Sequence, residues 1–331
     1  LVGKDGLLWV GTTEGLNVFY DDESHVFYSK IEDSLSLLNS GIKDLFITKN
    51  NNVFALTRGG LNVYNQKGFS FQRIPMESTP TGAWENPLGT IWVSTAQTGI
   101  YVLDSSLKIQ DHFVFDPLNP LSISTSRFEG FNTAQLYYTD KKTLIATANG
   151  LNIYNNSLNT FKRYFKGNKT KFTTNNILGI LPIDQESVGI ITENELVRYN
   201  LKEDQFEVIK KWQKTVTALN TIAANKLLLS QEKQYSVLSV ERGTLSHKNL
   251  NLNTPNLNKL TTAANTFYLW EKGGQQLLEL DTAGKLKNQF TVPENINAVV
   301  YSSANDEVLI ATNNGVQKRS KKTAKVLPFV A

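Results

Sequence analysis

One short pattern recurs along the chain at a spacing of roughly forty residues, the signature of a repeat architecture whose units cannot bury their apolar faces alone. Its clearest copies read DGLLWVGTTEGLNVF at 5–19, NNNVFALTRGGLNVY at 50–64 and KKTLIATANGLNIY at 141–154. With Thr12 as register mark, equivalent positions fall at Thr57, Thr95, Thr147, Thr192, Ser230, Trp270 and Thr312, eight units in all. An apolar run precedes each mark and a polar turn follows it, usually ending in Gly. A second short run then ends in an aromatic or apolar residue.

Short runs of Val, Ile, Leu and aromatic residues bounded by Gly and Asn read as strands. Gly15, Gly60, Gly150 and Gly315 suit a tight hairpin that needs positive φ. A further apolar stretch lies upstream of each hairpin (41–48, 177–183, 296–301) and another downstream (26–29, 71–74, 161–165). Four strands in each such unit describe a propeller blade, so the chain is expected to be all-β, a β-propeller of seven to eight four-stranded antiparallel blades. The units fall around 1–38, 39–80, 81–126, 127–174, 175–214, 215–255, 256–292 and 293–331. A solenoid of stacked hairpins is the alternative, but its rungs are shorter and more uniform. Lettering the strands A to D from the axis outward, B–C turns and D–A loops share one rim, and A–B and C–D turns share the other. The chain opens in the last residues of a first strand A, and the whole reads as a fragment of a longer multidomain protein.

Composition excludes more than it indicates. With 34 basic and 30 acidic residues, the net charge of +4 is too mild for a nucleic-acid surface. The densest basic cluster, 318–325, reads as a solvated edge that discourages strand addition. Without cysteine there are no disulfides, thiolate metal sites or thiol nucleophiles. No apolar run is long enough to span a membrane as a helix. His25, His112 and His247 stand in different units without metal-ligand spacing. No nucleophile elbow, phosphate loop or dinucleotide fingerprint is present. Asp5-Gly6 followed by Trp9 is only loosely similar to the Asp-box turn of sialidase propellers, and the arginine cluster of those enzymes is absent. The expectation is a non-enzymatic chain with no catalytic residues, no metal and no cofactor.

The B–C turn tips are the better place for a site. Successive units present Glu14, Arg58, Gln97, Asn149, Asn194, Lys233, Glu271 with Lys272, and Asn313 with Asn314. Their chemistry varies while the flanking strands repeat, as when contact residues are separated from scaffold. Long D–A loops at 30–40, 116–126, 167–176 and 247–258 are rich in Asn, Ser, Thr and Pro, which suits hydrogen bonding to polyols. Trp84 and Trp270 lie near the inner strands, where they could stack on a sugar ring or belong to the core. Trp9 and Trp92 read as core, and Trp212 lies in a D–A connection.

The unit D-x-x-G-x-L-W-x-G-T-x-x-G-L-x-x-Y resembles the two-component-regulator propeller repeat. Residues 5–19 match it apart from one residue missing in the first turn, and the match weakens in units six and seven. YSKIEDSLSLLNSGIKDL at 28–45 and FVFDPLNPLSIS at 113–124 resemble its linker, in which an outer strand leads through a Ser-Leu-Ser segment to the next inner strand. That resemblance implies the periplasmic sensor region of a hybrid two-component system of Bacteroidetes. Two consecutive, usually seven-bladed propellers, an immunoglobulin-like domain, a membrane helix and cytoplasmic kinase and regulator modules would make up the whole, acting as a homodimer. It also implies detection of oligosaccharides and control of polysaccharide-degrading genes. The same repeat occurs in structural or secretion-associated surface propellers that bind protein or lipopolysaccharide.

Overall fold

The computed structural model describes residues 1–20, 23–130, 135–232, 234–252, 257–303, 305–320 and 326–328. They form eight antiparallel sheets in chain order, the blades of a β-propeller, at 8–27, 42–75, 80–113, 136–164, 177–211, 218–250, 259–291 and 296–328. Seven blades have four strands and the first has three. At the inner edge of blade 1, Val2 bridges Leu8 and the Trp9 amide donates to the Leu1 carbonyl at 2.8 Å, so Leu1 and Val2 occupy the place of strand A. No α-helix occurs among the described residues.

The threonine register has a structural reason. Thr12, Thr57, Thr95, Thr147, Thr192 and Thr312 each donate from Oγ1 to the carbonyl of the residue that closes the B–C turn, at 2.8–3.2 Å. In most copies the same oxygen also accepts the amide two residues on, as from Glu14, Asn149 and Asn194. A hydroxyl there satisfies turn amides that the hairpin leaves unpaired. Gly60 closes its turn at φ 144°, and a Cβ on it would meet the Ile74 carbonyl at 2.2 Å. Steric exclusion by strand D thus adds to the backbone preference. In blade 5 Glu195 takes the place of that Gly, and its carboxylate is put to use as described below.

Apolar residues of strands B and C fill the spaces between blades. One cluster joins each consecutive pair, from Trp9, Leu16 and Phe71 between blades 1 and 2 to Tyr268, Trp270 and Ile310 between blades 7 and 8. Leu144, Val188 and Ile190, all fully buried, hold blades 4 and 5 together. Each such side chain contributes about 1.5–3 kcal/mol by burial, and truncating one to Ala costs about 2–5 kcal/mol because the cavity fills only partly.

The Ser-Leu-Ser linkers cross from one blade to the outer strands of the next, and the same device holds two of them. In the linker at 28–41, Ser36 Oγ accepts the Lys30 amide at 2.7 Å, Leu37 is fully buried, and the Leu38 amide donates to Asn62 Oδ1 at 2.7 Å. In the linker at 114–126, Ser122 Oγ accepts the Asp116 amide at 3.0 Å, Ile123 is fully buried, and the Ser124 amide donates to Asn152 Oδ1 at 2.8 Å. Between blades 4 and 5 the buried Glu195 carboxylate replaces the Asn, accepting the Thr173 amide at 3.0 Å and its hydroxyl at 2.7 Å.

The basic cluster of the last unit corrects one expectation. Arg319, in strand C of blade 8, is only 5% exposed and lies over the Phe290 ring of blade 7. Burial and the nearby Glu279 and Tyr268 make it part of a blade interface rather than a solvated edge. Lys321, Lys322 and Lys325 lie outside the described residues.

Candidate functional site

A cleft of about 640 Å³ runs along strand D of blade 4, beside the C–D turn of blade 5. Its volume falls within the span of about 300–1,000 Å³ usual for small-ligand sites. The chain builds it in three pieces. Strand D of blade 4 (Thr160–Tyr164) supplies Lys162, Arg163 and Tyr164, and Phe165 follows directly. The linker lies along the same strand, because the Phe161 amide donates to the Leu121 carbonyl at 2.8 Å, and Pro120 and Leu121 form that wall. The C–D turn of blade 5 supplies Asp204, whose φ of 58° is a left-handed conformation that Asp tolerates better than most residues.

Asp204 ties the two blades together. Its Oδ1 accepts the hydroxyls of Tyr164 and, at 3.0 Å, Tyr199, while its Oδ2 accepts Lys162 Nζ at 2.6 Å and Lys169 Nζ at 3.4 Å. Partial burial opposes the charged form, yet the hydrogen bonds from Lys162, Tyr164 and Tyr199 outweigh it and hold the carboxyl well below its ordinary range. Burial and hydrogen bonding to Asp204 push the Tyr164 phenol far up, so it stays a donor at any physiological pH. Lys142 reaches across from blade 4 to the Leu201 carbonyl at 2.9 Å. Lys142, Lys162 and Arg163 therefore face the cleft with Asp204 as the one carboxylate in its lining.

Arg163 is the lining cation with no hydrogen bond among the described residues; its guanidinium lies 6.0 Å from the centre of the Phe115 ring. A second depression, of about 460 Å³, lies on the A–B side of blades 1 and 2, where Asn50, Asn51, Asn52 and Gln66 surround Tyr64. Its amides are partly engaged, with Asn51 Nδ2 donating to Asp5 Oδ2 at 3.0 Å.

The residues singled out from sequence stand elsewhere. Glu14, Arg58, Gln97, Asn149, Asn194, Lys272 and Asn314 are exposed turn tips on separate blades, and no hydrogen bond or ion pair joins any two of them among the described residues. Asn149 Nδ2 donates to the Ser124 carbonyl at 2.8 Å and Asn194 Nδ2 to Thr173 Oγ1 at 3.1 Å, so these two brace their linkers. Lys233 lies outside the described residues. Trp84 is half-buried, with its ring 6.5 Å from that of Trp92. Trp270 is 5% exposed, packed between blades 7 and 8. Trp9 and Trp92 are core, and Trp212 donates from Nε1 to the Thr192 carbonyl at 3.1 Å. His112 stacks on Tyr101, and His247 bonds Ser236. Among the described residues no three His, Asp or Glu side chains come close enough to hold a metal ion.

Sequence alone does not bring the cleft residues together, because they belong to different segments of the repeats. The available signal was the alignment of Arg163 with Arg73, two residues after Phe161 and Phe71, in a stretch that also carries Lys162, Lys166, Lys169 and Lys171.

No protein-family model matches the chain, and no curated protein sequence matches it. Solved structures do resemble it in fold. The extracellular domain of the putative one-component system BT4673 from B. thetaiotaomicron superimposes with a TM-score of 0.56 at 14% identity, over 98% of this chain and 52% of that one. The extracellular domain of the putative hybrid two-component system BT3049 from the same organism gives a TM-score of 0.50 at 15% identity, over 99% and 52%. PorZ, a surface component of the type-IX secretion system of Porphyromonas gingivalis, gives 0.57 at 10% identity, over 87% and 38%. The chain thus spans about half the length of the two B. thetaiotaomicron domains and less of PorZ. No helix among the described residues is long and apolar enough to cross a membrane. At these identities the likeness shows the fold alone, which in this chain is an eight-bladed propeller.

Proposed function

We propose that the chain is a non-enzymatic, extracytoplasmic sensing propeller of a hybrid two-component signalling protein. In this reading it binds oligosaccharides in the periplasm and governs the use of the polysaccharides they come from. The observation that carries the reading is coverage: virtually the whole chain superimposes on about half of each of two bacterial sensor ectodomains. The linker motif at 28–45 and 113–124 adds to it. The partners would be a second propeller and an immunoglobulin-like domain of the same protein, in a homodimer. Sensing would work by differential affinity, the saccharide favouring one arrangement of the paired propellers and so shifting the dimer toward its signalling state.

The test is calorimetry of the chain against a panel of defined oligosaccharides, followed by kinase output from the full-length receptor. Micromolar binding of one saccharide class, with a matching change in kinase output, is the expected result. A saccharide that binds yet leaves dimer geometry and output unchanged would sink the signalling half of the reading. The likeness to PorZ favours one other reading, a surface propeller of a secretion apparatus that binds protein or lipopolysaccharide. The two separate on the domains that accompany the propeller: a membrane helix and kinase for the sensor, a carboxy-terminal sorting domain for the alternative.

A further inference from the structure

Two arginines occupy equivalent places in the fold and meet different surroundings. Arg73, in strand D of blade 2, is the clasp of the linker at 28–41. Its Nε donates to the Ser36 carbonyl at 2.7 Å, and its Nη2 reaches the carbonyls of Asp33 at 2.7 Å and Leu37 at 3.1 Å and Ser36 Oγ at 2.8 Å. Arg163 sits at the same position of blade 4, against the equivalent linker, and donates to none of its carbonyls. That linker is held by Asn152 and Ser122 without it. The guanidinium is left in the wall of the cleft, and its fork of donors has no acceptor among the described residues.

We infer that the cleft beside blade 4 binds the carboxylate or sulfate of an acidic oligosaccharide through Arg163, with Lys142 and Lys162 flanking. This rests on the sensing reading above and names the substrate class that the charge selects. A planar guanidinium presents paired donors that match an oxyanion. Asp204 cannot neutralise the cleft, because Lys169 as well as Lys162 already shares its carboxylate. Excess positive charge in a concave, partly apolar wall concentrates the field on an anion. The rest of the lining suits a sugar. The Phe165 ring, 40% exposed, offers a face for stacking, and Asn155 and Thr160 offer hydrogen bonds to hydroxyls.

The test is calorimetry of the whole chain with a galacturonic acid trisaccharide, a sulfated galactose trisaccharide and the neutral galactose trisaccharide, each at low and high salt. The two acidic probes separate a carboxylate ligand from a sulfate ligand. At least one should bind tenfold or more tighter than the neutral sugar, weaken as salt rises, and lose tenfold or more in Arg163→Gln. The Arg163 guanidinium makes no hydrogen bond among the described residues, so that variant should keep the wild-type melting temperature, and Phe165→Ala supplies a second variant with the same expected loss. Equal binding of neutral and acidic sugars, or an Arg163→Gln protein that binds as wild type, would overturn the acidic cleft and leave oligosaccharide sensing standing. Silence toward all three would overturn the acidic cleft as well and count against the sensing reading itself.

Discussion

Blades 2 and 4 carry the same linker, the same buried Asn and the same Arg, and only one of them spends the Arg on structure. At blade 2 the guanidinium of Arg73 satisfies a row of carbonyls, so the linker is closed over by its own fold. At blade 4 Phe115 stands where Ser29 stands in the first linker, and the guanidinium of Arg163 lies against its ring instead of reaching inward. The contact between blades 4 and 5 is then made further along the strand, by Tyr164, Lys162 and Asp204. Strand D of blade 2 is fastened to its linker by uncharged acceptors, whereas strand D of blade 4 is fastened to blade 5 by a carboxylate that can titrate. A repeat fold can thus free a charged residue in one blade while its scaffold role is kept in another.

The comparison breaks most sharply at the arginines. Arg73→Ala should cost about 2–4 kcal/mol in urea unfolding, because several linker carbonyls lose a charged donor at once. Arg163→Ala should stay within about 0.5 kcal/mol, as for a surface change that costs only a distant contact with the Phe115 ring. Equal losses would mean that both arginines are clasps. The shared part of the device is sharpened next: Asn62→Ala and Asn152→Ala should cost similar amounts, about 2–3 kcal/mol each, since either strands a buried linker amide.

Asp204→Asn should cost about 1–2 kcal/mol at pH 7, where it removes charge-assisted bonds to lysine and keeps an acceptor for the tyrosines. Its pH dependence has a definite sign. The carboxyl is held below its unfolded value, so its contribution is complete above the unfolded value of about 3.9 and is lost as pH falls toward the lowered folded value. Urea midpoints of wild type and Asp204→Asn should therefore differ at pH 7 and converge on acidification below the usual carboxylate range. Arg73→Ala should show no such convergence, since its acceptors are backbone carbonyls. The smallest effect is expected at the turn tips. Arg58→Ala and Lys272→Ala, both exposed, should leave stability within about 0.5 kcal/mol. Titration with saccharide would then show whether either tip contributes to binding.

Much of this fold is legible from local chemistry. Thr57 and Gly60 mark a turn whether or not the rest of the chain is known, because the hydroxyl serves the turn and the missing Cβ admits strand D. The Ser-Leu-Ser linkers are legible for the same reason: Ser36 and Ser122 bond within their own loops. Strand pattern recurs along the chain, more weakly in units six and seven, and points to four-stranded blades. What the sequence by itself left open is which charged and aromatic residues face outward between blades. Lys162 and Asp204 are 42 residues apart and meet only because blade 5 stacks on blade 4. Trp270 looks like a rim platform in sequence and is enclosed once blade 8 packs over it. Arg73 and Arg163 read alike until each linker folds back, and which carbonyls come within reach of a guanidinium is settled by inter-blade packing, where distance in sequence carries no information.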